Sequence, residues 1–247
     1  MEKKSISELN HNISVDCVIF GFDFENLKVL LIDRDSVGQI SPQMALPGDL
    51  IYNDENLEQA ANRILEELTG LNKIYLEQVG AFGDPKRVQK DTDRAWLKSM
   101  RSEPDARVIT VAYYSLVNIF DYRPQPFSFA KNTEWINLDE INELAFDHFD
   151  ILQEAKKILK LKLRNQPIGF NLLPKKFTLS QLHRLYECIL ERPLDKRNFR
   201  RKILKLDLLI NLNEKQSGVP HKPSELYQFN EEKYTELSQN GAYILPF

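Results

Sequence analysis

In the first half of the chain, the residues able to do chemistry gather in NRILEELTGL, Asn62 to Leu71. On a helix, positions 64, 67 and 68 stand at i, i+3 and i+4, so their side chains converge on one face. Three carboxylates there would hold a hard divalent cation such as Mg²⁺ against phosphate oxygens and support pyrophosphate cleavage. The sequence supplies only Glu67, flanked by Ile64 and Leu68. Two aliphatic chains offer a cation no oxygen ligands for the water it must shed. The expectation is a phosphate-chemistry helix without its metal: no metal site, no cofactor and no hydrolase activity. An ordinary amphipathic helix would account for Ile64 and Leu68 equally well on periodicity alone.

The second half carries a different chemistry. Between Lys156 and Lys222 the chain has 17 Lys and Arg but 5 Asp and Glu, although the whole chain is slightly acidic at −3. Such asymmetry points to two modules with different partners. In DKRNFRRKILKL and the leucine before it, Leu194, Phe199, Ile203 and Leu206 can face a core. Lys196, Arg197, Asn198, Arg200, Arg201, Lys202 and Lys205 are left on the other faces. Arg and Asn suit base edges, and Lys suits phosphates. The candidate DNA-binding residues are Lys196, Arg197, Asn198, Arg200, Arg201 and Lys205. Lys175 and Lys176 precede them, and His221 and Lys222 lie on a presumed wing.

These residues need elements to position them. VDCVIFGF (15–22) and KVLLIDRD (28–35) read as a β-hairpin around DFEN. ALPG then leads into a helix with Leu57, Ala60, Ala61, Ile64, Leu65 and Leu68 on one stripe, stopped by Gly70. Two further strand-like runs, KIYLEQVGAF and ARVITVAYYSLVNI, enclose a polar stretch from Gly83 to Asp105 that contains Trp96 and reads as a long, site-shaping loop. EWINLDEINEL adds a strand and a short helix. FDILQEAKKILKLKLRN reads as a connecting helix. TLSQLHRLYECIL, the break ERPL, the basic helix capped by Asp195, and DLLINL and ELYQF around a polar loop have the order of a winged helix-turn-helix. The expected domains are residues 1–150, a connector at 151–166, and 167–247. No run of apolar residues approaches a membrane span, and the N-terminus lacks a signal-peptide core, so a cytoplasmic location is expected. Cys17 and Cys188 read as reduced thiols.

LPGDLIYNDENLEQAANRILEELTGL (46–71) resembles the Nudix box, with Glu55, Arg63, Leu65, Glu67, Gly70 and Leu71 at matching offsets. Asp49 stands where that pattern has glycine, Ile64 where it has the first carboxylate of the helical trio, and Leu68 where it has the third. Together with LDKRNFRRK, the chain is similar to the Nudix-related transcriptional regulators often called NrtR. The resemblance implies an α/β (α+β) fold: a Nudix-like α/β/α sandwich with a mixed sheet, followed by a winged helix. It further implies a homodimer on palindromic operator DNA, usually a repressor, whose Nudix-like domain senses a small effector. In the branch tied to NAD metabolism the effector is ADP-ribose; other branches serve sugar catabolism. The long polar stretch and the missing carboxylates favour a sugar such as arabinose. Gly48, Asp49, Glu55, Arg63, Glu67 and Trp96 are the expected effector contacts, and Asp147 and His148, just before the connector, are placed either to transmit ligand state or to cap the following helix locally. The alternatives are an ADP-ribose-responsive regulator and a Nudix pyrophosphatase with an accessory basic domain.

Overall fold

In a computed structural model the chain folds into two compact units, with residues 8–34, 44–71, 74–88, 90–121, 130–165, 168–220 and 222–239 described. The first comprises residues 1–21, 28–115 and 122–155; the second comprises 22–27, 116–121 and 156–247.

The first unit is built on a seven-stranded sheet. Its strands are β1 (Leu9–Phe22), β2 (Leu27–Arg34), β3 (Met44–Ala45), β4 (Gly48–Tyr52), β5 (Glu77–Phe82), β6 (Ile109–Val117) and β7 (Ala130–Asn137). The order is β3-β2-β1-β6-β5, with β4 paired to β1 and β7 to β2. The β1–β2 turn forms because the Asp23 carboxylate accepts from the amides of Glu25 and Asn26.

Helix α1 (Leu57–Thr69) carries the Nudix-box residues. A reciprocal Asn56–Gln59 capping box starts it, and Gly70 in the left-handed region (φ 74°) ends it. Ala60, Ala61, Ile64, Leu65 and Leu68 are all buried. Full burial of each large aliphatic side chain contributes about 1.5–3 kcal/mol.

The stretch from Gly83 to Asp105, expected as a loop, contains helix α2 (Asp91–Met100). Asp93, Trp96 and Leu97 stand at i, i+3 and i+4 and are buried. Helical spacing was therefore present in a segment whose charges read as solvent-facing. Helix α3 (His148–Asn165) follows the sheet.

The second unit holds α4 (Leu179–Leu190), α5 (Lys196–Lys205), the hairpin β8 (Leu209–Lys215) and β9 (Glu225–Phe229), and α6 (Glu231–Gln239). A Thr178–Gln181 capping box starts α4, and the Asp195 side chain caps α5. Phe199 is fully enclosed, with its ring against Tyr186 and His183 at 5.3 and 5.0 Å. The turn between α4 and α5 is fixed from α4: His183 Nε2 donates to the Leu194 carbonyl, and Glu187 accepts from the Leu194 amide. Phe177 pairs with Tyr227 across an isolated bridge, so a third backbone segment joins the hairpin. This is the expected helix, turn, basic helix and wing.

Candidate functional site

The sheet and α1 first position the Nudix-box residues. Arg63 donates from Nε to Glu55 Oε2 (3.0 Å) and from Nη2 to Glu55 Oε1 (2.6 Å) and the Leu50 carbonyl (3.0 Å). Its Nη1 donates to Glu67 (3.0 Å), and its guanidinium lies over the Tyr52 ring. Glu55 also accepts from the Tyr52 amide. Burial works against the Arg63 charge, but Glu55 and Glu67 more than offset it and raise its pKa. The arrangement ties the loop before α1 to the helix.

It does not fit a divalent cation. Glu67, the single carboxylate on the face of positions 64, 67 and 68, is committed to Arg63, and Ile64 and Leu68 are in the core. Among the described residues no three His, Cys, Asp or Glu side chains gather as a metal group.

A separate cavity of about 50 Å³ opens beside this cluster. Of the expected effector residues, Gly48, Asp49 and Trp96 line it, whereas Glu55, Arg63 and Glu67 do not. The rest of its polar wall comes from residues that motif reading passed over: Asp16, Arg34, Arg87 and Arg101, with His148 beside them.

Arg34 ends β2 at the parity of Leu30 and Ile32, and Ile32 lines the same cavity. Its guanidinium donates to Asp93 of α2 at 2.8 Å, with both side chains essentially excluded from solvent at 4% and 0%. Trp96 and Phe146 cover it at 4.9 and 4.7 Å. Burial pulls its pKa down while Asp93 holds it up. The other Asp93 oxygen accepts from the Phe146 amide at 2.9 Å. Phe146 itself sits in the left-handed region, at φ 52°.

Asp16 projects from β1 opposite Gly48 of β4. A Cβ on Gly48 would lie 1.8 Å from Asp16 Oδ1 and 2.9 Å from the Val15 carbonyl, so no other residue allows this approach. The Leu46 amide donates to His148 Nδ1 at 3.0 Å. The imidazole proton therefore resides on Nε2, which faces Asp16 Oδ1 at 3.4 Å. Burial lowers the His148 pKa, opposed by Asp16 and Asp147. Asp49 is pushed up by burial, opposed by the Leu50 amide, Arg101 and Arg63.

Arg87 donates through Nε and Nη2 to both oxygens of Asp147, at 3.0 and 2.7 Å, and lies 3.5 Å from Asp16. Among the described residues, the Arg101 guanidinium has no hydrogen bond or ion pair; it feels Asp49 and Asp16 through space. Outside the cavity, and sharing Arg87 and Phe146 with it, lies a groove of about 530 Å³ that also presents Lys86, Lys90, Asp147 and Asp150. Cavity and groove together offer guanidinium and ammonium donors around one concavity.

In the second unit, Lys196, Arg197, Arg200, Arg201 and Lys205 are exposed along α5, as are Lys175, Lys176 and Lys222; Asn198 is half-buried. Asn198 accepts from Arg201 at 2.9 Å, and Lys176 pairs with Glu214 of β8. His221 lies outside the described residues. No helix among those residues is long and apolar enough to cross a membrane.

Comparison with known proteins assigns both halves. Residues 10–155 match the NUDIX domain, and residues 169–229 match the NrtR DNA-binding winged helix domain. An "ADPR responsive transcriptional repressor NtrR" of Acinetobacter baylyi is 35% identical over 227 residues, covering 90% of this chain and 83% of that protein. The crystal structure of Shewanella oneidensis NrtR complexed with a 27mer DNA superposes with a TM-score of 0.67 at 27% identity, over 90% of this chain and 95% of that one. A MutT/nudix family protein from Enterococcus faecalis, 22% identical, shares the fold with a TM-score of 0.68 over 93% of this chain and 89% of its own.

Proposed function

This chain belongs to the NrtR family of Nudix-related transcriptional regulators, and from that premise we propose that it is a cytoplasmic, homodimeric repressor released from a palindromic operator by ADP-ribose. One observation carries the choice of effector: Arg34, Arg87 and Arg101 surround a single cavity, and Lys86 and Lys90 line the adjoining groove. Guanidinium groups match phosphate oxygens in charge and in fork geometry. A neutral pentose, the effector expected from the sequence, needs hydrogen-bonding groups and an apolar wall but has no use for five cations. The name of the Acinetobacter relative supports the same choice. The sugar reading therefore gives way to its alternative.

The DNA-binding half of the proposal rests on α5, whose exposed arginines and lysines stand on a helix anchored by buried Phe199 and Ile203. Effector and operator are linked through differential affinity, since a ligand that binds both states equally shifts neither. The same geometry supports a loss of hydrolysis: Arg63 occupies Glu67, and aliphatic side chains fill positions 64 and 68.

The test is fluorescence anisotropy on operator fragments with ADP-ribose, arabinose and no ligand. ADP-ribose is expected to release the DNA and arabinose to leave it bound. Arg197→Ala is expected to weaken specific binding by about 1–3 kcal/mol if it reads a base. Release by arabinose alone, or Mg²⁺-dependent turnover of ADP-ribose that Glu67→Gln abolishes, would overturn the proposal.

A further inference from the structure

We propose that Arg87 is the phosphate-responsive contact of this pocket: it holds Asp147 when no effector is present and exchanges that carboxylate for a diphosphate oxygen when effector binds. The inference deepens the ADP-ribose reading and rests on it.

Among the described residues, Arg87 is the one guanidinium that lines both the inner cavity and the outer groove. The groove, at about 530 Å³, has the capacity of a small-molecule site, while the inner cavity of about 50 Å³ admits only part of such a ligand. A ligand reaching from one to the other must pass Arg87. The guanidinium is already engaged in the two-point geometry that it would offer a phosphate, with Asp147 as the occupant. A diphosphate bears more charge than a carboxylate and has Lys86, Lys90 and Arg101 within the same walls, so it competes for Arg87 with help that Asp147 lacks.

Asp147 is also where such an exchange has a mechanical consequence. It stands between Phe146, whose backbone is in the left-handed region, and His148, the first residue of α3. A non-glycine residue in that conformation costs roughly 1–3 kcal/mol and persists only while its surroundings enforce it. Among the contacts that enforce it, Asp93 accepts from the Phe146 amide, Lys90 donates to the Leu144 carbonyl, and Arg87 pins Asp147. Removing the last lets residues 146–148 relax and alters the start of a helix that runs on to Asn165. A phosphate arriving in the groove thus becomes a change in the segment leading to α3.

The experiment combines calorimetric titration with ADP-ribose, operator anisotropy and amide hydrogen exchange on the full-length chain. Asp147→Asn, which weakens the internal competitor, is expected to bind ADP-ribose on the order of tenfold tighter and to bind operator more weakly without effector. Arg87→Gln is expected to lose ADP-ribose affinity on the order of 100-fold and, because it too releases Asp147, to bind operator more weakly without effector and to lose little more when ADP-ribose is added. In the unmodified protein, exchange at residues 146–151 is expected to accelerate on adding ADP-ribose. If ADP-ribose binds but exchange there is unchanged, or if Asp147→Asn binds it no tighter, the exchange of partners is overturned and the effector assignment stands. If ADP-ribose binds neither the unmodified protein nor Asp147→Asn, the effector assignment itself falls, and the inference with it.

Discussion

Gly48→Ala tests how tightly the cavity wall is built. A methyl group at position 48 meets the Asp16 carboxylate at 1.8 Å and the Val15 carbonyl at 2.9 Å, both too close for any real Cβ. Asp16 can swing away only by leaving His148 Nε2 and Arg87, which it faces at 3.4 and 3.5 Å. The Val15 carbonyl is backbone within the β1–β4 pairing and cannot swing at all. Overpacking of this kind costs about 1–3 kcal/mol, which for a chain of this size lowers the melting temperature by roughly 3–10 °C. Both tryptophans, Trp96 and Trp135, lie in the first unit, so urea denaturation followed by tryptophan emission reports this unit alone. The clash has two parts, and a double-mutant cycle separates them. Adding Asp16→Ala to Gly48→Ala removes the side-chain clash and leaves the backbone one, so the two losses should sum to less than additive. Stability within about 0.5 kcal/mol of the unmodified protein, or strict additivity in the cycle, would show that β4 does not need glycine for the reason given.

Other expectations follow from the same contacts. Because burial lowers the His148 pKa, the unfolded chain binds a proton below its ordinary value of 6.5 while the folded chain does not. Stability should therefore fall as pH drops below about 6.5, by at most about 1.4 kcal/mol per unit, until the folded histidine itself titrates. His148→Gln should flatten that part of the curve, and an unchanged slope between pH 6.5 and 5.5 would refute the assignment. Asp93→Ala strands a buried guanidinium and should cost about 3–5 kcal/mol in thermal or urea unfolding. Lys176→Ala breaks a half-exposed pair with Glu214, so stability should move by no more than about 1 kcal/mol. If Lys176 meets a DNA phosphate, the same change should lower the salt dependence of operator binding by about one unit of slope.

What the sequence disclosed was local. The hairpin β1–β2, the box helix with its glycine stop, and the capped basic helix α5 announce themselves through alternation, helical spacing and caps within a dozen residues. The proposed effector cavity is assembled from residues far apart in the chain, and apart from Leu46, Gly48 and Asp49 of the box its lining carries no motif. Nothing local marks Asp93 for burial, because its burial depends on Arg34, 59 positions away. Arg34 was accessible in principle, since it shares the inward parity of Leu30 and Ile32. The charged stretch around Trp96 read as a loop for the same reason: its polar residues outnumbered an apolar stripe that only tertiary pairing makes sense of. His221, expected on the wing, lies outside the described residues.

The Arg34–Asp93 pair also bears on how this domain can change over generations. With Asp93 of α2 set against Arg34, the segment is not an ornament that a deletion could trim. Losing residues 91–100 would take away both the counter-charge of Arg34 and its Trp96 cover, leaving an unpaired cation in an opened apolar wall, a penalty that one further substitution, Arg34→Leu, would have to reduce at the same moment. Either step alone passes through a poorly folded intermediate. The two charges are therefore tied to each other in sequence change as well as in space, because neither can be lost without the other.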